Sequence, residues 1–254
     1  MELLGLLTLA LFLYMTIIFL FAYYTSDNSI VDVAWGIGFI IVTALTFFYV
    51  KVYTPPTIII FGCVLLWGLR LTGHILLRKN GFTEDKRYAD LRMSWKHQFI
   101  LKSFFGIFMF QGLLIFAITY AHVVAIEQIT SSVSALFFVG LFIWIFGFFY
   151  EIFADYQLMI FKKNPLNQGA ILTKGLWTYS RHPNYFGEIT LWWGMWLLAF
   201  SISGSWVTII SPIVITLFLM HVTGVPMLEK YYRGNKQYSS YAKHTPALFP
   251  KFWR

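Results

Sequence analysis

The chain has 254 residues, of which 58% are hydrophobic, 20% aromatic and only 12% charged, a mixture too apolar for an ordinary soluble domain. Its net charge of +8 would suit nucleic acid, but the cations flank apolar runs instead of studding a soluble surface, so anionic lipid headgroups are the partner they imply. The single cysteine, Cys63, lies inside an apolar run, which excludes an intramolecular disulfide and a cysteine-based metal site.

Crossing about 30 Å of hydrocarbon takes roughly 20 helical residues. Taken in chain order, the runs at 3–24, 32–50, 55–76, 101–122, 132–160, 186–202 and 205–228 meet that length, and they predict an all-α polytopic membrane protein with seven spans. The first run opens on Glu2 instead of a basic segment and lacks a small-residue cleavage site, so it reads as a span and not as a signal peptide. The segment 79–96 mixes acids, bases and aromatics as an interfacial helix would. The segment 162–185 is rich in Gly, Pro and Asn and reads as a loop. Residues 189–228 contain no Asp, Glu, Lys or Arg and are too long for one crossing, so the turn-like Ser201-Ile202-Ser203-Gly204-Ser205 divides them. The tail beyond sets tyrosines 231, 232, 238 and 241 among basic residues. With seven spans nearly all Lys and Arg fall on one side, which predicts an outside N-terminus, a cytosolic C-terminus and a single membrane-embedded domain over 1–254.

Ionisable residues within apolar spans cost about 2.5–3.5 kcal/mol each on insertion scales, so each asks for a role. Asp32 precedes Trp35 by three positions, which places carboxylate and indole on one face of the second span. Arg70 and His74 share a face of the third, although a histidine in such a helix is more often a packed polar group than a ligand. Glu151, Asp155 and Lys162 fall at offsets of 4 and 11 and line one face of the fifth span. The run Tyr179-Ser180-Arg181-His182-Pro183-Asn184-Tyr185-Phe186-Gly187-Glu188 packs a cation, an imidazole, an amide, a phenol and a carboxylate into one helix start. Pro183 suits the first turn, and the free amides there, with Arg181, suit an anion. An interfacial anchor of snorkelling Arg and headgroup-level Tyr explains these residues singly, but less easily as a cluster. The sequence carries no HExxH or other metal-ligand spacing, no Walker loop, no GxGxxG and no GxSxG.

The segments VDVAWG (31–36), LWGLRLTGH (66–74), EDKRY (84–88), EIFADYQLMIFK (151–162), GLWTYSRHPNYFGE (175–188) and the tyrosine-rich tail resemble the bacterial branch of the steroid 5α-reductase superfamily over most of the chain. The RHPxY element also occurs in isoprenylcysteine carboxyl methyltransferases and sterol Δ14-reductases, so this block does not by itself choose between NADPH and S-adenosylmethionine. The full-length likeness, VDVAWG and the acidic face ending in FK favour the reductase. The resemblance implies a seven-helix fold in a bacterial inner membrane, with NADPH contacted by Glu151, Asp155, Lys162, Arg181, Asn184, Tyr185 and Glu188. Arg233, Tyr238, Tyr241 and Lys243 of the tail would close over the adenosine end. It further implies reduction of a carbon–carbon double bond in a hydrophobic substrate, with no nucleic acid and no metal involved. The animal enzymes polarise a steroid ketone with a Gln-Glu pair and a Tyr; this chain has VDVAWG in place of the pair and His74 where the Tyr would fall. Asp32 and His74 are accordingly the candidate polarising acids, with Trp35 and Arg70 at the substrate end. The alternatives are a methyltransferase using S-adenosylmethionine and a sterol- or lipid-binding protein without chemistry.

Overall fold

The structure, a computed structural model, describes residues 2–79, 84–129 and 133–251. Every regular element among them is helical. Among the described residues, six helices are long and apolar enough to cross a membrane: Glu2–Thr25, Ile30–Val50, Pro55–Arg78, Lys86–Glu127, Ala135–Lys163 and Trp206–Tyr231. The chain is an all-α polytopic membrane protein. The seventh expected span, Pro183–Ser203, has 21 residues and so the length, but its first turns carry Asn184 and Glu188 and its middle is rich in Trp, which lowers its apolar character. The described residues group into two compact units, 1–132 with 202–210, and 133–201 with 211–254.

The first unit is built on α1 (Glu2–Thr25), α2 (Ile30–Val50) and α3 (Pro55–Arg78). α2 ends where Lys51 turns left-handed at φ 57°, its N–H bonding back to Phe47 O at 3.2 Å. α3 restarts behind a Thr54/Thr57 capping box with Pro55 in the first turn, where a missing N–H costs nothing. α2 and α3 touch backbone to backbone at Gly36 and Gly68: a Cβ on Gly36 would stand 2.4 Å from Gly68 O. In lipid, where no hydrophobic drive pulls helices together, small residues let helices gain dispersion contacts by close approach.

The interfacial helix expected in 79–96 is present as α4 (Lys86–Trp95). Residues 80–83 of that segment lie outside the described residues. A short α5 (Phe99–Ser103) runs through a π-helical stretch, Phe104–Met109, into α6 (Phe110–Glu127). There His122 is buried with its Nε2 2.8 Å from the Thr43 hydroxyl of α2.

The second unit pairs α7 (Ala135–Lys163) with α8 (Pro183–Ser203) in antiparallel fashion. Glycines seven apart on each helix make the seam. A Cβ on Gly147 would lie 2.5 Å from Leu191 N, one on Gly187 2.6 Å from Glu151 N, and one on Gly194 2.5 Å from Trp144 N. The 162–185 loop is irregular apart from two 3₁₀ turns, Pro165–Asn167 and Gly175–Thr178. Trp177 pins it to α7 by donating from Nε1 to Ala154 O at 3.1 Å. Beyond α9 (Ile210–His221) the tail forms two short helices, α10 (Val225–Tyr231) and α11 (Lys236–His244).

Candidate functional site

In the first unit the polar end of α2 meets α4. Asp85 caps α4 by accepting from Arg87 N at 2.9 Å, which sets Arg87 and Tyr88 in the first turn facing α2. Arg87 Nη2 then pairs with Asp32 Oδ2 at 2.7 Å, and the Tyr88 hydroxyl donates to Asp32 Oδ1 at 2.6 Å. Tyr88 is buried; Asp32 is half-buried. Burial pushes the Asp85 carboxyl up, but the hydrogen bonds and charge of Arg87 outweigh it and hold Asp85 below the usual carboxylate range. Two further pairs brace the same end: Lys79 with Asp27, and Arg92 with Glu84 through two nitrogens at 2.9 Å. Asp32 also lines a cleft of about 180 Å³ bounded on α3 by Ile75, Arg78 and Lys79 and on the α4 side by Glu84 and Asp85.

Of the other residues expected at the substrate end, Trp35 packs edge-on to Phe39 at 5.0 Å and to Trp67 at 6.4 Å, so its indole belongs to an aromatic cluster between α2 and α3. Arg70 and His74 lie half-buried on α3, four residues and one turn apart. The structure therefore joins Asp32 to Arg87 and Tyr88. Those two residues are part of the EDKRY segment, but single-helix periodicity gave no reason to aim them at Asp32.

In the second unit the polar block before α8 folds onto the tail. Ser180 is fully buried, its hydroxyl donating to Leu248 O at 2.7 Å and accepting from His182 N at 3.1 Å. Arg181 N donates to Pro246 O at 2.9 Å, and Arg181 Nη1 to the carbonyls of Ala242 and Thr245 at 2.9 and 3.0 Å. Arg181 Nη2 pairs with Glu229, whose Oε1 also accepts from the Tyr238 hydroxyl at 3.4 Å and stands 3.7 Å from His182 Nε2. The Tyr241 hydroxyl reaches the carbonyls of Trp177 and Ser180. His182 stacks on Tyr185 at 5.5 Å. Burial pushes the His182 imidazole down to about 4, against the pull of Glu229. Burial likewise raises the Tyr238 hydroxyl to about 12, with Glu229 adding to it, and raises that of Tyr241.

Arg181, Tyr238 and Tyr241 thus come together with Glu229 and His182. Glu151 and Asp155 are buried on α7, and Glu188 is buried on α8, where Gly187 lets the backbone of Glu151 approach. Asn184 and Tyr185 are half-buried in the first turn of α8. Lys162, on the face of α7 that carries Glu151 and Asp155, is exposed, as are Arg233 and Lys243 of the tail. Glu229 carried a signal in the sequence that periodicity does not weigh: it is the sole Asp or Glu after Glu188.

Among the described residues, Arg181 Nε, both ring nitrogens of His182, Asn184 Oδ1 and the Tyr150 hydroxyl are buried without a hydrogen-bond partner. Buried polar atoms are costly to leave unmade, and this donor and acceptor set gathers at the N-terminal turn of α8 and the neighbouring turn of α7. No curated protein and no solved structure matches the chain. The profile of DUF1295, described as a protein of unknown function, matches residues 18–245, and the chain belongs to that family.

Proposed function

We propose that the protein is an NADPH-dependent reductase of a carbon–carbon double bond conjugated to a carbonyl in a hydrophobic substrate, as its likeness to the steroid 5α-reductase superfamily implies. The observation that carries this reading is the buried Tyr88 hydroxyl 2.6 Å from Asp32, whose other oxygen pairs with Arg87. Reducing an enone requires a donor that meets the negative charge developing on the carbonyl oxygen. Asp32 accepts on both oxygens, so it orients, and Tyr88 carries the proton. On substrate binding the Tyr88 hydroxyl exchanges its bond to Asp32 for one to the substrate carbonyl, and Arg87 keeps Asp32 in place.

NADPH, when bound, supplies the hydride. Residues of the second unit are suited to hold it. Arg181, His182 and exposed Lys162 offer cationic or N–H partners for phosphates. Asp155, Asn184 and Glu188 offer acceptors for ribose hydroxyls and the carboxamide. The bilayer delivers the substrate, and the cytosolic side would deliver the nucleotide.

The test is thermal stabilisation of the detergent-purified chain by NADPH, NADH and S-adenosylmethionine in parallel, because a ligand that binds only the folded state raises its stability. The expected result is a shift with NADPH and none with S-adenosylmethionine. The reverse would make the chain a methyltransferase, and no shift with any would leave a lipid-binding protein. In an enone assay that follows NADPH oxidation, Tyr88→Phe should lower turnover by about 10²–10⁴-fold, the range for loss of a general acid, while the NADPH-induced thermal shift stays as it was. Turnover retained in that variant would remove Tyr88 from the chemistry.

A further inference from the structure

We propose that Glu229 is an internal anion seated among the donors beside the first turn of α8, and that it must leave before a phosphate-bearing ligand binds. The proposal rests on the nucleotide reading above only for the identity of that ligand. Two donors reach one carboxylate oxygen, Arg181 Nη2 and the Tyr238 hydroxyl at 3.4 Å, and the His182 ring nitrogen Nε2 stands 3.7 Å from the same Glu229 Oε1. An Arg, a His and a Tyr beside the N-terminus of a 21-residue helix make an anion site by composition.

The carboxylate fills that site incompletely. His182 is only 3% exposed, yet among the described residues neither of its ring nitrogens has a hydrogen-bond partner, and neither does Arg181 Nε. A phosphate, with more charge and three acceptor oxygens, would meet donors that the carboxylate leaves unmade.

Glu229 is also the member of the clasp able to leave. Its side chain is 33% exposed against 12% for that of Arg181. It rides on α10, seven residues long, with Gly224 before it and Tyr232–Asn235 forming a turn behind it, so it can shift without unwinding α9 or α11. As the sole acid after Glu188, it lies among Lys230, Arg233 and Lys236, which would receive it once displaced. A ligand that binds only the unclasped state has its apparent affinity reduced by the unclasped fraction. A clasp closed in about nine molecules of ten therefore weakens binding about tenfold.

Binding of inorganic pyrophosphate and, separately, of NADPH to the full chain in detergent should be measured by calorimetry for the unmodified protein, Glu229→Gln and Glu229→Asp. Glu229→Gln should bind pyrophosphate about tenfold more tightly. Glu229→Asp keeps the charge but withdraws it by one methylene, and should fall between the two. If Glu229→Gln does not fold, Glu229→Asp alone decides. Affinities equal to or below that of the unmodified chain, or no pyrophosphate binding by any form, would overturn the clasp. Tighter pyrophosphate binding by the variants with no NADPH binding by any form would uphold the clasp and remove NADPH as its ligand.

Discussion

A single arginine carries much of the second unit's polar order. The Arg181 guanidinium meets the carbonyls of Ala242 and Thr245 and the Glu229 carboxylate, a fan of acceptors that a lysine ammonium on a flexible stem cannot match. Arg181→Ala should therefore free the tail as well as weaken any anion, and limited trypsin digestion should cut near Lys236 and Lys243 faster than in the unmodified chain. Ser180 gives a cleaner probe of the same junction. Its buried hydroxyl serves Leu248 O and His182 N, and Ser180→Ala should cost about 1–3 kcal/mol of stability for the groups left unpaired, seen as a lower melting temperature. His182 sets a pH dependence. Its folded value, about 4, lies below the ordinary 6.5, so between the two the unfolded chain binds more protons. This contribution to stability is whole above about pH 6.5 and is lost as pH falls towards 4. Replacing His182 with Gln should flatten that slope in denaturation measured across the window.

At the scale of elements, the glycine seam between α7 and α8 decides where the buried acids meet the polar block. Gly140 and Gly147 on one helix and Gly187 and Gly194 on the other hold the backbones together, and that approach sets Glu151 beside the first turns of α8. Gly187→Ala would place a Cβ 2.6 Å from Glu151 N. Backbone cannot yield as a flexible side chain does, so the helices must part, at about 1–3 kcal/mol. The expected outcome is a lower melting temperature and a smaller ligand-induced shift. Leu198→Ala on the same helix, a buried contact remote from the block, should lower stability without a comparable loss of ligand response. In the first unit the matching device is Gly36 against Gly68. The π-helical stretch at Phe104–Met109 follows Ser103, whose hydroxyl accepts from Asn28 Nδ2 at 3.0 Å and so ties α5 to the start of α2.

For the molecule as a whole, charge and apolar length argue for orientation in the bilayer. Basic residues of 78–102, 162–181 and 230–254 fall at the same side if the chain crosses seven times, and reporter fusions at residue 254 should then be active in the cytosol. A reporter active on the other side would reverse the proposed topology or reduce the number of crossings by one, with α8 the element to question.

Composition and run length were enough, by themselves, to determine that this is a helical membrane protein and where its long helices lie, because a bilayer enforces helices of about 20 apolar residues whatever their partners. The interfacial character of 79–96 and the polar block at 179–188 were legible for the same local reason: each lies within one segment. Pairings between segments were not. The reach of Tyr88 and Arg87 to Asp32 spans 55–56 positions, and that of Glu229 to Arg181 spans 48. Neither follows from helical periodicity, which reports only which residues share a face. Only the tertiary structure decided which carboxylate meets which cation, since that depends on how closely glycines let neighbouring helices approach and on where the tail folds back.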